Sequence, residues 1–182
     1  SANILFDELV LDPNIEIEKE HGKAYSIRLA YTPIFSLRHL LTTYAKIIHV
    51  GTPTFRHGIG TNNFVQNGKP LGWYRGSDGQ EICFGLNYFN QNNMMTSIST
   101  GFYKSGGENI VNGVFEPYSD YNKGPFPSGI VNNSIYVDTY IKYWLKKFLL
   151  VSTGLIWSDG INKNKLDLRF NIDFFHTFSS SL

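Results

Sequence analysis

Two segments of the chain combine aromatic side chains with charged and amide groups among glycines and prolines. They read NGKPLGWYRGSDG at residues 67–79 and EPYSDYNKGPFP at residues 116–127. Aromatic rings can stack on sugar faces, and Arg, Asp and Asn bind hydroxyl or carboxylate groups, so exposed loops of this composition predict a glycan-binding surface. The alternative is that these side chains only pack the loops together. We expect the ligand-binding residues to be Arg56, His57, Trp73, Tyr74, Arg75, Tyr118 and Tyr121.

The segment FRHGIGTNN at residues 55–63 places His57 among polar groups and is the strongest suggestion of catalysis. A barrel of the lipid A deacylase type needs a serine two residues after the histidine, where this chain has Ile59. The other histidines are dispersed, and Cys83 is the single cysteine, so the sequence predicts neither a metal site nor a disulfide. We therefore expect no enzymatic activity and no cofactor, with a deacylase-like hydrolase as the weakest alternative.

The stretch KLDLRFNIDFFHTF at residues 165–178 shows how strands must position these loops. Successive side chains of a strand point to opposite faces, so the stretch builds one apolar face and one charged face. A soluble sandwich would bury the apolar face, whereas a transmembrane barrel would turn it toward lipid. The apolar residues are Leu166, Leu168, Phe170, Ile172 and Phe174; the residues that we expect to face a lumen are Lys165, Asp167, Arg169 and Asp173.

The length of the strands and the pattern of their connections favour the barrel. We predict about eight strands, most of about 10 to 14 residues, whereas strands of soluble domains usually have roughly 5 or 6. Short connections at 33–36, 90–93 and 144–147 alternate with long ones, as in outer-membrane barrels. Tyr143, Trp144 and Trp157 lie near predicted strand ends, where aromatic girdles occur. The prediction is an all-β, antiparallel transmembrane barrel over residues 1–182, with long outer loops at 51–79 and 105–132.

Charge and composition exclude some partners. The formal net charge of +1 gives no reason to expect nucleic acid, and 15% aromatic residues suit a β-protein. We expect outer-membrane lipids as partners and the bacterial outer membrane as the location.

Four segments together resemble the Wzi-type capsule assembly proteins of the outer membrane. They are FDELVLD, TTYAKIIHVGTPTFRH, NGKPLGWYRGSDGQE and GFYKSGGENI, and the resemblance spans most of residues 5–178. It implies the C-terminal portion of a barrel of about eighteen strands that holds capsular polysaccharide. The missing strands would then come from another part of the polypeptide or from another chain. The chain departs from the family in lacking the N-terminal half and in continuing its last strand into SSSL.

The function that we expect is binding or assembly of surface polysaccharide. A passive porin-like channel remains open because charged inward residues suit a channel equally well. A soluble β-sandwich lectin also remains open, because period-two alternation does not say which face meets water.

Overall fold

The computed structural model describes residues 1–8, 14, 19–36, 38–118, 122–160 and 164–175. In these parts of the chain, eleven strands form, together with a short 3-10 helix at Gly60–Asn62. None of the helical segments described has the length and apolarity of a membrane span. The strands are β1 (Ala2–Glu8), β2 (Gly22–Tyr31), β3 (Ile34–Ser36), β4 (His39–Val50), β5 (Val65–Gln66), β6 (Lys69–Pro70), β7 (Gly79–Asn90), β8 (Met94–Ser105), β9 (Asn132–Lys146), β10 (Leu149–Gly160) and β11 (Lys165–Phe174).

One nine-stranded sheet contains all the long strands, in the order β1-β2-β4-β7-β8-β9-β10-β11, with β3 paired to β4. The pairs β1–β2, β3–β4 and β10–β11 are antiparallel. The prediction of an all-β antiparallel fold is therefore confirmed. Among the described residues no pairing joins β1 to β11, so closure of the sheet into a barrel is not found.

The connections follow the predicted alternation, with differences at the strand ends and with strand β3 at Ile34–Ser36 inside the short connection predicted at 33–36. Residues 51–78 separate β4 from β7, and residues 106–131 separate β8 from β9, close to the predicted long loops. The turn predicted at 144–147 is shorter, because β9 continues through Lys146. Strand β10 continues through Gly160, and Ser158 still pairs with Lys165 of β11. Strand β9 therefore continues into the segment that was predicted to be a turn, and pairing with β11 keeps β10 extended as far as Ser158.

The pairing register between β10 and β11 places apolar side chains on one face of the sheet and polar side chains mainly on the other. Residues that are directly opposite in an antiparallel pair share one face of the sheet. One face carries apolar pairs of which Leu155↔Leu168 and Val151↔Ile172 are typical; the other carries Ser152↔Asn171 and Gly154↔Arg169. On the first face Leu168 is 70% exposed; on the second Ser152 of β10 is 2% exposed, whereas the residues of β11 are exposed on both faces. The alternation predicted for the last strand is thus present, with its apolar side uncovered.

The chain divides into two compact units. The loop unit comprises Ser1–Arg28, Lys46–Ile82 and Phe102–Ser134, and the turn unit comprises Leu29–Ala45, Cys83–Gly101 and Ile135–Leu182. Both long connections belong to the loop unit, whereas the short connection between β7 and β8 belongs to the turn unit. Within the first connection, β5 and β6 form a small hairpin whose turn residues Asn67 and Gly68 both have positive φ, as a type I′ turn requires.

Candidate binding site

The two long connections of the loop unit share a small apolar core. Val50, Phe55, Trp73 and Ile110 are buried together in it. Phe55 and Trp73 come from the first connection and Ile110 comes from the second. Full burial of a side chain of this size contributes about 1.5–3 kcal/mol, so each connection is stabilised by its contact with the other.

Asp78 joins the same two connections through hydrogen bonds. Its buried carboxylate accepts bonds from Thr52 Oγ1 at 2.9 Å and from the Glu108 backbone N–H at 3.2 Å. It also accepts bonds from Ser128, at 2.9 Å from the backbone N and at 2.6 Å from Oγ. A buried carboxylate is tolerated only where such donors replace water, so Asp78 acts as a structural hub.

A second buried carboxylate, Glu81, organises the segment predicted to bind glycans. Lys46 Nζ lies 3.0 Å from Glu81 Oε1, and Arg75 Nε lies 3.3 Å from Oε2. The indole Nε1 of Trp73 donates to the same Oε2 at 3.2 Å. Charge-assisted bonds of this kind are among the stronger ones in proteins, so Glu81 fixes the orientation of Trp73 and the position of Arg75.

Arg56 is a third buried charge in the loop unit. Its Nη1 donates to the Glu108 carbonyl at 2.8 Å and to Glu108 Oε2 at 2.9 Å. The guanidinium carbon lies 4.9 Å from the centroid of the Tyr118 ring, which is within the range of a cation–π contact. Its Nε has no hydrogen-bond partner in the part of the chain that the structure describes. Arg56 therefore fastens the first connection to the second.

Beside Arg75 the loop unit has an open hollow of about 360 Å³, which we call the Tyr74 pocket. The Arg75 guanidinium carbon lies 4.8 Å from the centroid of the Tyr74 ring and 3.7 Å from that of Tyr103. Tyr74 itself is 62% exposed. The residues lining the pocket are Tyr74, Arg75, Tyr103, Ser105, Gly106, Asn109, Val111, Asn112, Ile130 and Asn132.

The lining of the Tyr74 pocket combines aromatic rings with amide and hydroxyl groups. Asn109 is occupied by the loop, since its Nδ2 donates to the Arg75 carbonyl at 2.8 Å and its Oδ1 accepts from the Val111 N–H at 2.9 Å. Asn112 and Asn132 are exposed, so their amides can reach a ligand. Rings that offer a face, together with amides that donate and accept, can hold a sugar by stacking and by hydroxyl bonds.

The structure brings only part of the predicted ligand-binding set to a common surface. Tyr74 and the half-buried Arg75 line one pocket. The expectation that the others are exposed was wrong for Arg56, Trp73 and Tyr118, which are all buried, because each packs against or bonds to residues distant in sequence. Tyr121 lies outside the described residues.

His57 is half-buried, and its hydrogen bonds stabilise the conformation of its own loop. Its backbone N–H donates to Asn63 Oδ1 at 2.8 Å, and its Nδ1 accepts from the Ile59 N–H at 2.9 Å. Its carbonyl accepts from the Tyr118 N–H at 2.9 Å. Ile59, at the position where a deacylase would carry serine, contributes only its backbone to this arrangement.

The four residues predicted to face a lumen lie in the turn unit, on β11. Lys165, Asp167, Arg169 and Asp173 pair with Ser158, Ile156, Gly154 and Leu150, on the face opposite the exposed apolar row. Arg169 bonds to Asp167, with Nη2 at 2.9 Å from Oδ2. That they share this face agrees with the predicted alternation; the lumen itself stays a prediction.

Sequence reasoning missed Tyr103, Asn112 and Asn132, which complete the Tyr74 pocket. Tyr103 stands near the end of the long alternating strand β8, beside the second connection, and this position was a usable signal. The two asparagines carried no signal, because asparagine is common throughout the loops.

No group of three or more His, Cys, Asp or Glu side chains able to hold a metal ion occurs among the described residues. Comparison of the chain with protein-family models, with curated proteins and with solved structures finds no match.

Proposed function

We propose that this chain is part of a bacterial outer-membrane β-barrel whose outer loops bind or assemble surface polysaccharide. The proposal joins two inferences: that the long strands cross a membrane, and that the long connections recognise glycans. They depend on different observations and are tested separately.

The observation that carries the membrane inference is the two-faced pairing of β10 and β11. Leu149, Val151, Leu155 and Trp157 are opposite Phe174, Ile172, Leu168 and Leu166 on one face, where the β11 residues are exposed and the β10 residues, apart from the exposed Leu155, are half-buried. Water next to such a row is unfavourable, at about 25 cal/mol for each Å² of apolar surface, whereas lipid is not. Transmembrane strands alternate in this way, with apolar residues facing lipid and polar residues facing the interior.

A soluble sandwich lectin, the main alternative, requires the apolar row to be covered by a second sheet. Leu168 is 70% exposed and Ile172 is 50% exposed. Exposed apolar surface of this extent on adjacent strands is unusual for a soluble monomer and favours the membrane proposal.

The proposal includes further strands beyond those described. Edge strands leave N–H and C=O groups without ladder partners, and membrane sheets avoid such edges by closing. β1 and β11 are the two ends of the strand order. We therefore include in the proposal a larger barrel, completed by another part of the polypeptide or by another chain.

The membrane inference can be tested by placing a fluorophore on either face of β11. In a Cys83→Ser background, Leu168→Cys and Asp167→Cys would be labelled with an environment-sensitive dye after folding into phosphatidylcholine vesicles. We expect spin-labelled lipid to quench the dye at position 168 strongly and at position 167 weakly. Equal quenching at the two positions, or protein that stays in solution without detergent, would contradict the proposal.

The glycan inference is supported by the Tyr74 pocket, where the exposed Tyr74 and the half-buried Tyr103 meet the exposed amides of Asn112 and Asn132. Rigid aromatic side chains on a fixed scaffold supply contact area with little conformational entropy to lose. The buried bonds of Glu81 and Asp78 provide that scaffold, since they hold both connections in place.

The test is binding of surface polysaccharide to cells that display wild type or Tyr74→Ala/Tyr103→Ala. We expect at least a fivefold loss of binding in the double variant, since a lost ring contact is worth about 1 kcal/mol or more. Phe115→Ala is the matched control, because Phe115 is an exposed aromatic residue of the second connection outside the pocket. Binding that is unchanged in the double variant at equal surface expression would remove the pocket from the proposal.

A porin-like channel is the second candidate, favoured by the charged face of β11. Lys165, Asp167, Arg169 and Asp173 all lie on that face, and charged interiors are typical of water-filled barrels. Conductance of the purified protein in a planar bilayer would support the channel, whereas a closed bilayer together with polysaccharide binding would support the first proposal.

A further inference from the structure

A second hollow, of about 500 Å³, lies in the turn unit between two turns of the sheet. One wall is the end of β7 and the turn that follows it; the other is the end of β9 with Lys147. We call it the turn hollow. It is lined by Phe89, Asn90, Gln91, Asn92, Asn93, Trp144, Leu145, Lys146 and Lys147.

The walls of the turn hollow are held by hydrogen bonds. Asn93 Nδ2 donates to the Tyr143 hydroxyl at 2.6 Å, and the Trp144 N–H donates to the Asn93 carbonyl at 2.8 Å. Asn90 Oδ1 accepts from the Asn92 N–H at 3.0 Å, which closes the turn on itself. The two turns are therefore fixed relative to each other.

The charge of the turn hollow has one sign. Among the described residues its lining contains Lys146 and Lys147 and no acidic residue, and the other polar side chains are amides and the Trp144 indole, all of which can donate hydrogen bonds. Both lysines are exposed. A group that fits this lining is an anion with several oxygen acceptors.

Apolar side chains adjoin the same turns. Leu145 lines the hollow and is 52% exposed. Phe148, in the turn between β9 and β10, is 55% exposed. Tyr143 and Leu145 have the same strand parity as Ile135 and Ile141, which are exposed on the apolar side of β9. Lysine and aromatic residues next to an apolar strand face are the arrangement found where a membrane protein meets lipid headgroups.

We infer that the turn hollow binds the phosphate-bearing headgroup of an anionic bilayer phospholipid. The lysine ammonium groups would pair with the phosphate, the turn amides would donate to its oxygens, and the acyl chains would lie along the apolar face beside Leu145 and Phe148. This inference rests on the proposed membrane function, because the acyl chains need that face to be in lipid. A free phosphate would satisfy the lysines but would leave the apolar neighbours without a ligand.

The experiment is native mass spectrometry of the detergent-solubilised protein titrated with phosphatidylglycerol or phosphatidylcholine. We expect wild type to retain phosphatidylglycerol preferentially and Lys146→Gln/Lys147→Gln to lose roughly tenfold to thirtyfold of that affinity, since each lysine near an anionic surface is worth about 1 kcal/mol. Lys165→Gln is the matched control, because Lys165 is an exposed lysine on β11 outside the hollow. Inorganic phosphate at millimolar concentration should not displace the lipid.

Three results would overturn the inference: equal retention of the two lipids by wild type, an unchanged preference in the double variant, or displacement of the lipid by inorganic phosphate alone. Partition into phosphatidylcholine vesicles separates this failure from failure of the proposed function. A chain that partitions but shows no lipid preference overturns only the headgroup site. A chain that does not partition overturns both.

Discussion

The hydroxyl of Ser128 donates a 2.6 Å hydrogen bond to the carboxylate of Asp78, and the Ser128 backbone N–H donates a second at 2.9 Å. The two partners are fifty positions apart in the sequence. Asp78 immediately precedes β7, while Ser128 lies in the connection that leads to β9. This pair therefore closes one long connection of the loop unit onto the other.

Replacing Asp78 with Asn should loosen the loop unit. The amide nitrogen of Asn would face N–H and O–H donors that now bond to a carboxylate, and each buried group left unsatisfied costs about 1–3 kcal/mol. We expect faster proteolysis within residues 106–131 and a lower urea midpoint. Asp173→Asn, an exposed carboxylate on β11, is the control and should leave both unchanged. Equal protease resistance of Asp78→Asn and wild type would show that the pair does not hold the connection.

Trp73 and its neighbour Tyr74 should respond differently to truncation. Trp73 is buried and bonds to Glu81, so Trp73→Ala should lower the free energy of unfolding by about 3–5 kcal/mol. Tyr74 is mostly exposed, so Tyr74→Ala should change it by no more than about 0.5 kcal/mol while weakening glycan binding. Chemical denaturation monitors the first effect and polysaccharide binding the second. Similar unfolding free energies for the two variants would contradict the assigned burial.

Two glycines of the second connection form a matched pair for substitution. A Cβ at Gly106 would overlap Asp78 Oδ2 and would lie 2.5 Å from the Ser128 backbone N. A Cβ at Gly124 would meet no atom of the described residues within 4 Å. Gly106→Ala should therefore destabilise the fold by about 1–3 kcal/mol, and Gly124→Ala should fall within about 0.5 kcal/mol of wild type. Thermal unfolding of the two variants measures the difference, and equal melting temperatures would argue against the tight approach at Gly106.

Glu20 should make the stability of the loop unit depend on pH. Burial raises the pKa of its carboxyl above the ordinary 4.5, Asp78 acts in the same direction, and Lys23 and Lys123 oppose the rise. The folded state thus holds this proton more tightly than the unfolded state. The resulting stability is complete below about pH 4.5 and is lost as pH rises through the raised value.

Glu20→Gln, which cannot ionise, tests this contribution of Glu20. We expect the variant to gain stability relative to wild type as pH increases from about 4.5 toward 8, measured by the urea midpoint at each pH. Glu116→Gln, an exposed glutamate of the second connection, is the control. A constant difference between Glu20→Gln and wild type across this range would mean that Glu20 is not responsible for the pH dependence.

The local sequence pattern was sufficient to predict the strands and the separation of apolar and polar side chains onto their two faces. The alternation of Leu166 to Phe174 with Lys165 to Asp173 predicted two opposite faces, and the pairing of β10 with β11 has them. Period-two geometry belongs to the strand itself and does not depend on distant residues. The long connections could be predicted for a similar reason, because their glycines, prolines and asparagines disfavour regular strands.

Only the tertiary structure decided which loop residues are available to a ligand. Trp73, Tyr74 and Arg75 are adjacent in sequence and equally suited to binding, yet Trp73 is buried, Tyr74 is exposed, and Arg75 lies between Tyr74 and Tyr103. Their burial depends on partners supplied by Glu81, Ile110 and Tyr103. Loop side chains follow no repeating period, so their exposure is set by contacts between distant segments, and those contacts exist only once the chain has folded.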